Sequence, residues 1–284
     1  MKKNHSLLSK HAKSFNWAGF FLSKEAYQKS STLYSFCRTL DDICDQDKSL
    51  SFKKKQFKQF KHTFKTRNKS KSIIKNFLDL TMEEGFSENI ILDLFDGVET
   101  DLKKKIQFKS KKDLFIYSYR VAGTVGLMMA KIFKVNKKKS LIGAINLGIA
   151  MQLTNIARDV IEDKKRNRFY INHDFRSIKE TIEISENLYS DSFESIKDIP
   201  IYNRFAILVA RRVYRQIGRE ILKKRNIDKY NFSGKIYVSK LQKCIQTILA
   251  IFDFFHLMIL RRNIKFKTNL LTIINKEINL NERL

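Results

Sequence analysis

The sequence predicts an all-α chain, and three observations carry that prediction. One proline (Pro200) and nine glycines punctuate 284 residues, too few turn residues for a β-sandwich. Apolar residues recur at steps of three and four along almost the whole length, the period of a helix with one buried face. Two polar sets keep the same step: Tyr34, Arg38, Asp41 and Asp45 in one segment, and Gln152, Asn155, Asp159 and Asp163 in another. Each set therefore lies along one face of a helix. No linker divides the chain, so 1–284 reads as one large helical domain.

Taken in order, residues 24–47 read as a helix in which Leu33, Phe36, Cys37 and Leu40 flank the first polar ladder. The lysine-rich segment 48–72 places Phe52, Phe57, Phe60 and Phe64 at amphipathic spacing. Helices follow at 73–82 and 87–105, on either side of Gly85. Segment 111–133 carries the small residues Ala122, Gly123 and Gly126, which permit close backbone approach or a local break. The second ladder sits in a helix at 140–165, and RNRFYINHDF after it lacks the period and reads as a loop. Further helices are expected at 177–195, 201–225 and 235–260, with a polar tail from Arg261.

The net charge is +27. Lysine dominates it and is scattered in small clusters, such as 53–55, 103–105 and 137–139, with no basic arm. That patterning favours a solvated surface first and attraction to an anionic membrane second, with nucleic acid last. Cys37, Cys44 and Cys244 have neither metal-ligand spacing nor a disulfide framework, which suits a reducing cytoplasm, and Cys37 and Cys44, seven apart on one helix, are expected to be buried. The first fifteen residues lack the sustained apolar run of a signal peptide. The greasiest stretch, 244–260, is interrupted by Gln246, Asp253 and His256 and falls short of a span of about 20 residues. It reads as a buried or membrane-docking helix, which places the protein in the cytoplasm or on the inner face of the membrane.

The ladders suggest a chemistry. Carboxylates four residues apart rise about 6 Å along a helix. Asp41 with Asp45, facing Asp159 with Asp163, could hold several Mg²⁺ ions, or Mn²⁺ in their place, and those ions could bind a diphosphate. Asp42 and Glu162 lie beside these faces. Arg38, Arg158 and Arg168 are candidate phosphate clamps, because guanidinium pairs bidentately with phosphate oxygens. One such carboxylate pair alone is weak, since any charged helix face produces it. Here the polar residues interrupt apolar, small-residue helices, where buried Asn, Gln and Asp need partners.

The neighbouring residues sharpen the reading. HAKSF at 11–15, LYSFCRTLDDICD at 33–45, YRVAGTVG at 119–126, LGIAMQLTNIARDVIED at 147–163 and RFYI at 168–171 occur together. VYRQIGREI at 213–221 and SGKIYVSKL at 233–241 follow. Over about 8–245 this combination resembles the squalene/phytoene synthase family of head-to-head prenyl synthases. The resemblance implies an isoprenoid-synthase helical fold with a central active-site cavity and Mg²⁺-dependent use of two prenyl diphosphates. It assigns Asp41, Asp45, Asp159 and Asp163 to metal. It places His11, Ser14, Tyr34, Arg38, Gln152, Asn155 and Arg168 near the diphosphates, with Tyr119 and Tyr214 as cavity tyrosines. Arg158 and Lys235 are further diphosphate candidates, although Lys235 stands where the family commonly has arginine. Two prolines of the family pattern are absent, at Ser23 and Asn172.

The expected reaction is the condensation of two geranylgeranyl diphosphates through prephytoene diphosphate to phytoene, with release of diphosphate. Tyr34, Arg38, Tyr119 and Tyr214 are its catalytic candidates. No NADPH motif is visible: Gly123 and Gly126 lie within an apparent helix, outside the strand–turn–helix setting of a dinucleotide loop. That favours phytoene over squalene, whose formation needs reduction. The alternatives are a C15-using synthase of presqualene diphosphate, squalene or dehydrosqualene, a chain-elongating synthase, and two non-enzymes: a helical membrane-docking protein or a nucleic-acid binder.

Overall fold

The computed structural model describes residues 13–260, 264, 266 and 268–284, with side chains from Asn16 onward. His11 lies outside the described residues, and the side chain of Ser14 is likewise not described. The helices are α1 (Lys13–Gly19), α2 (Lys24–Asp45), α3 (Leu50–Lys65), α4 (Ser72–Glu84), α5 (Glu88–Thr100) and α6 (Lys111–Ser118). A π-helical turn (Tyr119–Gly123) leads into α7 (Thr124–Ile132), followed by α8 (Lys138–Lys165), α9 (Phe175–Asp191) and α10 (Ile201–Leu222). The chain continues through α11 (Ile227–Phe232), α12 (Lys240–Ile259) and α13 (Leu270–Asn275).

Local signals set many of these ends. The side chains of Ser23, Ser49, Asp174 and Asn226 each accept a backbone N–H in the first turn of α2, α3, α9 and α11. Ser110 with Asp113, and Ser239 with Gln242, form reciprocal capping boxes. Helix α4 stops where Gly85 takes a left-handed conformation, with φ of 63°.

Two packing groups position the site. Phe36 on α2 stacks on Phe77 of α4 at 3.7 Å between ring centroids, with Phe57, Phe60, Phe64 and Phe95 packed around the pair. These rings hold the back of α2, leaving the face with Tyr34, Arg38 and Asp41 to the interior opening. On the other side α7 and α8 run antiparallel at close range. A methyl at Gly126 would collide with the carbonyl oxygen of Ala144, and one at Gly148 with that of Ala122. The small residues of 111–133 serve this approach, and the break they permit is the π-turn.

Three differences from the sequence reading have physical causes. The segment expected as a loop after α8 contains β2 (Arg168–Phe169), which pairs in parallel with β1 (Ile106–Gln107). Two-residue strands leave no period to detect. The tail from Arg261 is not uniformly polar in its packing, because Leu270, Ile274, Ile278 and Leu280 are buried and Arg283 pairs with Asp93. Of the thiols, Cys44 is buried, Cys37 is half-buried and Cys244 is exposed.

Candidate active site

A cavity of about 290 Å³ lies between α2, α7, α8 and α10. Along α8 its wall is one continuous helix face, from Ser140 through Gly143, Ala144, Leu147, Gly148 and Met151 to Gln152 and Asn155. Leu33 and Cys37 of α2, Val125 and Met129 of α7, and Ile207 and Ala210 of α10 complete an apolar lining. The polar ladder residues Tyr34, Gln152 and Asn155 join Tyr214 at one end, and further along come the aspartates, two turns beyond Tyr34 and one turn beyond Asn155. The far end is closed around Phe133, Val135, Ser140, Ser195 and Ile199.

The two ladders meet through cations. Asp45, at the end of α2, pairs with Arg168 at 2.9 Å and with Arg166 at 2.7 Å, and both arginines follow the end of α8. Asp159 is gripped by both ends of the neighbouring Arg158 guanidinium, at 2.8 and 2.5 Å, and lies 3.5 Å from Lys235. Lys235 also holds Glu162 at 2.5 Å, and Arg38 holds Asp42 at 2.6 Å. The Nε of Arg38 is buried with no hydrogen-bond partner among the described residues, a donor left for an incoming acceptor.

Asp41 and Asp163 lack such relief. Asp41 keeps solvent contact through the mouth but is enclosed by protein, and burial, then the carboxylates of Asp45 and Asp101, push its pKa up to about 7. Burial, then Asp159, pushes Asp163 up to about 7, against the opposing charge of Arg168. Helix α8 bends one turn before Asp163, at Asp159, which has φ of −104° and ψ of 15°. The Tyr230 hydroxyl lies 2.9 Å from the carbonyl of Ala157 and 2.7 Å from that of Arg158, satisfying the backbone beside the bend.

One acidic residue here was not singled out from sequence. Asp101, just past α5, accepts from the hydroxyls of Tyr170 at 2.6 Å and Tyr117 at 3.0 Å, and its charge acts on Arg168, Asp41 and Asp163. It belongs to no ladder, and the β1–β2 pairing that brings residues 168–170 beside it left no sequence signal. Tyr119 corrects an expectation. It is fully buried, donates to Asp93 at 3.2 Å and packs behind the π-turn, so it is not a cavity tyrosine. Tyr34 and Tyr214 do line the cavity, and burial raises the pKa of both, Tyr34 to about 12.

Do these donors suit Mg²⁺? Among the described residues no group of three or more acidic, His or Cys side chains forms a ready-made cage. The mouth offers two carboxylate pairs, each with one member strained by its like-charged neighbours. Mg²⁺ is usually held by one or two carboxylates and completes its shell with water and substrate phosphate oxygens. The donor set fits that mode.

An all-helical shell around an apolar cavity, with acidic ladders and arginines at its mouth, is the architecture of the isoprenoid synthases. A dehydrosqualene synthase solved in complex with a ligand superposes with a TM-score of 0.72 and 26% identity, over 87% of this chain and 94% of that one. The model of the family described as Squalene/phytoene synthase matches residues 8–177. The chain belongs to this family and is a prenyltransferase-type enzyme. A phytoene synthase of Pseudescherichia vulneris is 28% identical over 74% of this chain and 78% of its own length. A 4,4'-diapophytoene synthase of Staphylococcus haemolyticus is 29% identical over 84% and 92%.

Proposed function

We propose that the protein is a Mg²⁺-dependent phytoene synthase, joining two geranylgeranyl diphosphates head to head through prephytoene diphosphate. The observation that carries the C20 choice is the length of the cavity. Its wall on α8 runs from Asn155 to Ser140, a rise of about 22 Å at 1.5 Å per residue. A C20 tail has a sixteen-carbon main chain, about 19 Å when extended with C–C bonds near 1.5 Å. A C15 tail, with twelve, reaches only about 14 Å by the same measure.

In this reading Asp41, Asp45, Asp159 and Asp163 hold the metal, and Arg38 and Arg168 hold phosphate oxygens at the mouth. Bound Mg²⁺ supplies charge stabilisation to the departing diphosphate as the C–O bond ionises. The apolar walls keep water from the allylic cation, and the hydroxyls of Tyr34 and Tyr214 turn neutral dipoles toward it. Their raised pKa values make phenolate scarce at neutral pH, which favours a diphosphate oxygen as acceptor of the final proton.

A C15 reading has its own support in the likeness to diapophytoene and dehydrosqualene synthases. Purified protein incubated separately with C20 and C15 diphosphates, with Mg²⁺ and with chelator, decides between them. Phytoene from the C20 substrate, lost on chelation and in Asp41→Ala and Asp159→Ala, is the expected result. Turnover of the C15 substrate alone would overturn the chain-length assignment, and unchanged activity in either variant would remove the metal ladders.

A further inference from the structure

Helix α12 is apolar on both sides. Its inner side buries Ala250 and Leu257 completely, and Lys243, Gln246 and Asp253 beside them are bound to the rest of the protein by polar contacts. Gln246 donates to Gln216 at 3.1 Å, Asp253 takes both ends of the Arg212 guanidinium at 2.6 and 2.5 Å, and Thr247 accepts from Trp17 at 3.0 Å. Its outer side carries Leu241, Ile245, Ile248, Phe252, Phe255 and Ile259, spaced four and three residues apart, with Leu241 71%, Phe252 65% and Ile259 83% exposed. Single exposed apolar residues are ordinary on a protein surface, but an unbroken stripe along 20 residues is not. Phe232, 91% exposed, and Tyr237 extend it at the N-terminal end.

The surroundings of the stripe identify its occupant. A paired helix from a second copy would want a narrow seam flanked by complementary charges. One flank is Cys244, Ile251 and Met258, all exposed, and the other carries the exposed His256 beside Leu249, so the apolar face is broad and offers no Asp or Glu to pair with a Lys or Arg of a second copy. The segment 201–260 holds twelve Lys and Arg against three Asp and Glu, so two copies meeting face to face would bring like charges together. Arg219, Arg225, Lys229 and Lys240 are exposed at the same end as Phe232 and Tyr237. Cations and aromatics beside a wide apolar face match a surface of anionic headgroups over hydrocarbon. The helix starts at Lys240, ahead of the stretch 244–260 that falls short of a span, and its 20 residues are by length and composition enough to cross a membrane, but the Asp253–Arg212 and Gln246–Gln216 bonds tie it to α10, so it lies along the interface.

We propose that the outer face of α12 docks the protein onto an anionic lipid bilayer. The helix packs on α10 and stacks His256 on Phe193, beside the segment that closes the far end of the cavity. Docking thus sets the hydrocarbon end of the cavity near lipid and leaves the acidic mouth with the soluble ions. That use, though not the docking itself, rests on the reaction proposed above.

The test is co-sedimentation of the purified full-length protein with vesicles of phosphatidylcholine alone, and of phosphatidylcholine with phosphatidylglycerol, at low and high salt. No substrate is added, so the outcome is independent of the reaction. The protein should bind the phosphatidylglycerol vesicles, more weakly at high salt. The triple variant I248Q/F252Q/F255Q keeps good helix formers on an exposed face and should fold as the parent does. Its partitioning should fall by at least about a hundredfold, since three large apolar side chains no longer enter lipid. Equal binding by parent and variant would overturn the proposal, as would no binding of the parent to either vesicle. A dimer that the triple variant dissolves, seen by sedimentation velocity, would overturn it in favour of a second copy.

Discussion

Arg168 and Asp45 lie 2.9 Å apart, and through that pair the end of α2 is fastened to the strand that follows α8. Burial works against this guanidinium's charge, and Asp101, with Asp45, more than offsets it. Arg168 is a fixed positive charge between the two acidic ladders. R168A should lower kcat/KM by about 10²–10³-fold, the scale of losing one preorganised donor. R168K should recover little of it, because an ammonium cannot span two oxygens as a planar fork does. Product formation from radiolabelled substrate measures both.

Asp41 and Asp163 predict an exchange of function for stability. Their folded-state pKa values are raised to about 7 from 3.8, so the native protein binds more protons than the unfolded chain between those values. Stability contributed by these groups is therefore lost as pH rises from about 4 to about 7. D41N and D163N should each raise the Tm of the ligand-free protein at pH 8, with the gain shrinking toward pH 5, while turnover disappears. A variant no more stable than the parent at pH 8 would contradict the burial and repulsion inferred here.

The Tyr230 hydroxyl supports the bend at Asp159 through the carbonyls of Ala157 and Arg158. Y230F leaves those carbonyls without that donor. Denaturant unfolding should show a loss of about 1 kcal/mol, the usual worth of one such bond. Activity should fall further than stability alone explains, because the bend sets where Asp159 and Asp163 point.

Tail length should respond at the far end of the cavity. Gly126 faces Ala144 and Gly148 faces Ala122, so the antiparallel α7 and α8 bring Met129 level with the residues near Ser140. M129W fills that end. Competition between C15 and C20 diphosphates should then shift toward C15 by at least about tenfold, the worth of roughly one lost apolar contact.

Much of this was legible because helices repeat. The face of α8 that lines the cavity and the face of α2 that carries Arg38 and Asp41 both follow from a 3.6-residue period, as does the burial of Phe57, Phe60 and Phe64. What escaped lies where no period operates. The strand pairing at Ile106 and Arg168 is two residues long, and it alone brings Tyr170 to Asp101. Tyr119 was placed in the cavity by resemblance alone; it begins the π-turn and is drawn to Asp93 of α5, a partner far away in sequence that no spacing reveals. The direction of α12 was open for another reason: the sequence reads 244–260 as a buried or membrane-docking helix, but which side meets the protein depends on Arg212 and Gln216 across the interface.

The contacts of Gly126 with Ala144 and of Gly148 with Ala122 leave the waist of the cavity walled by bare main chain. At these two crossings there is no side chain to exchange, and adding one would drive the two helices apart. Variation in what the enzyme accepts therefore enters from side chains away from them, foremost on the α2 and α10 sides. A library meant to change the product should leave these glycines alone and diversify Leu33, Cys37, Ile207 and Ala210 across from them.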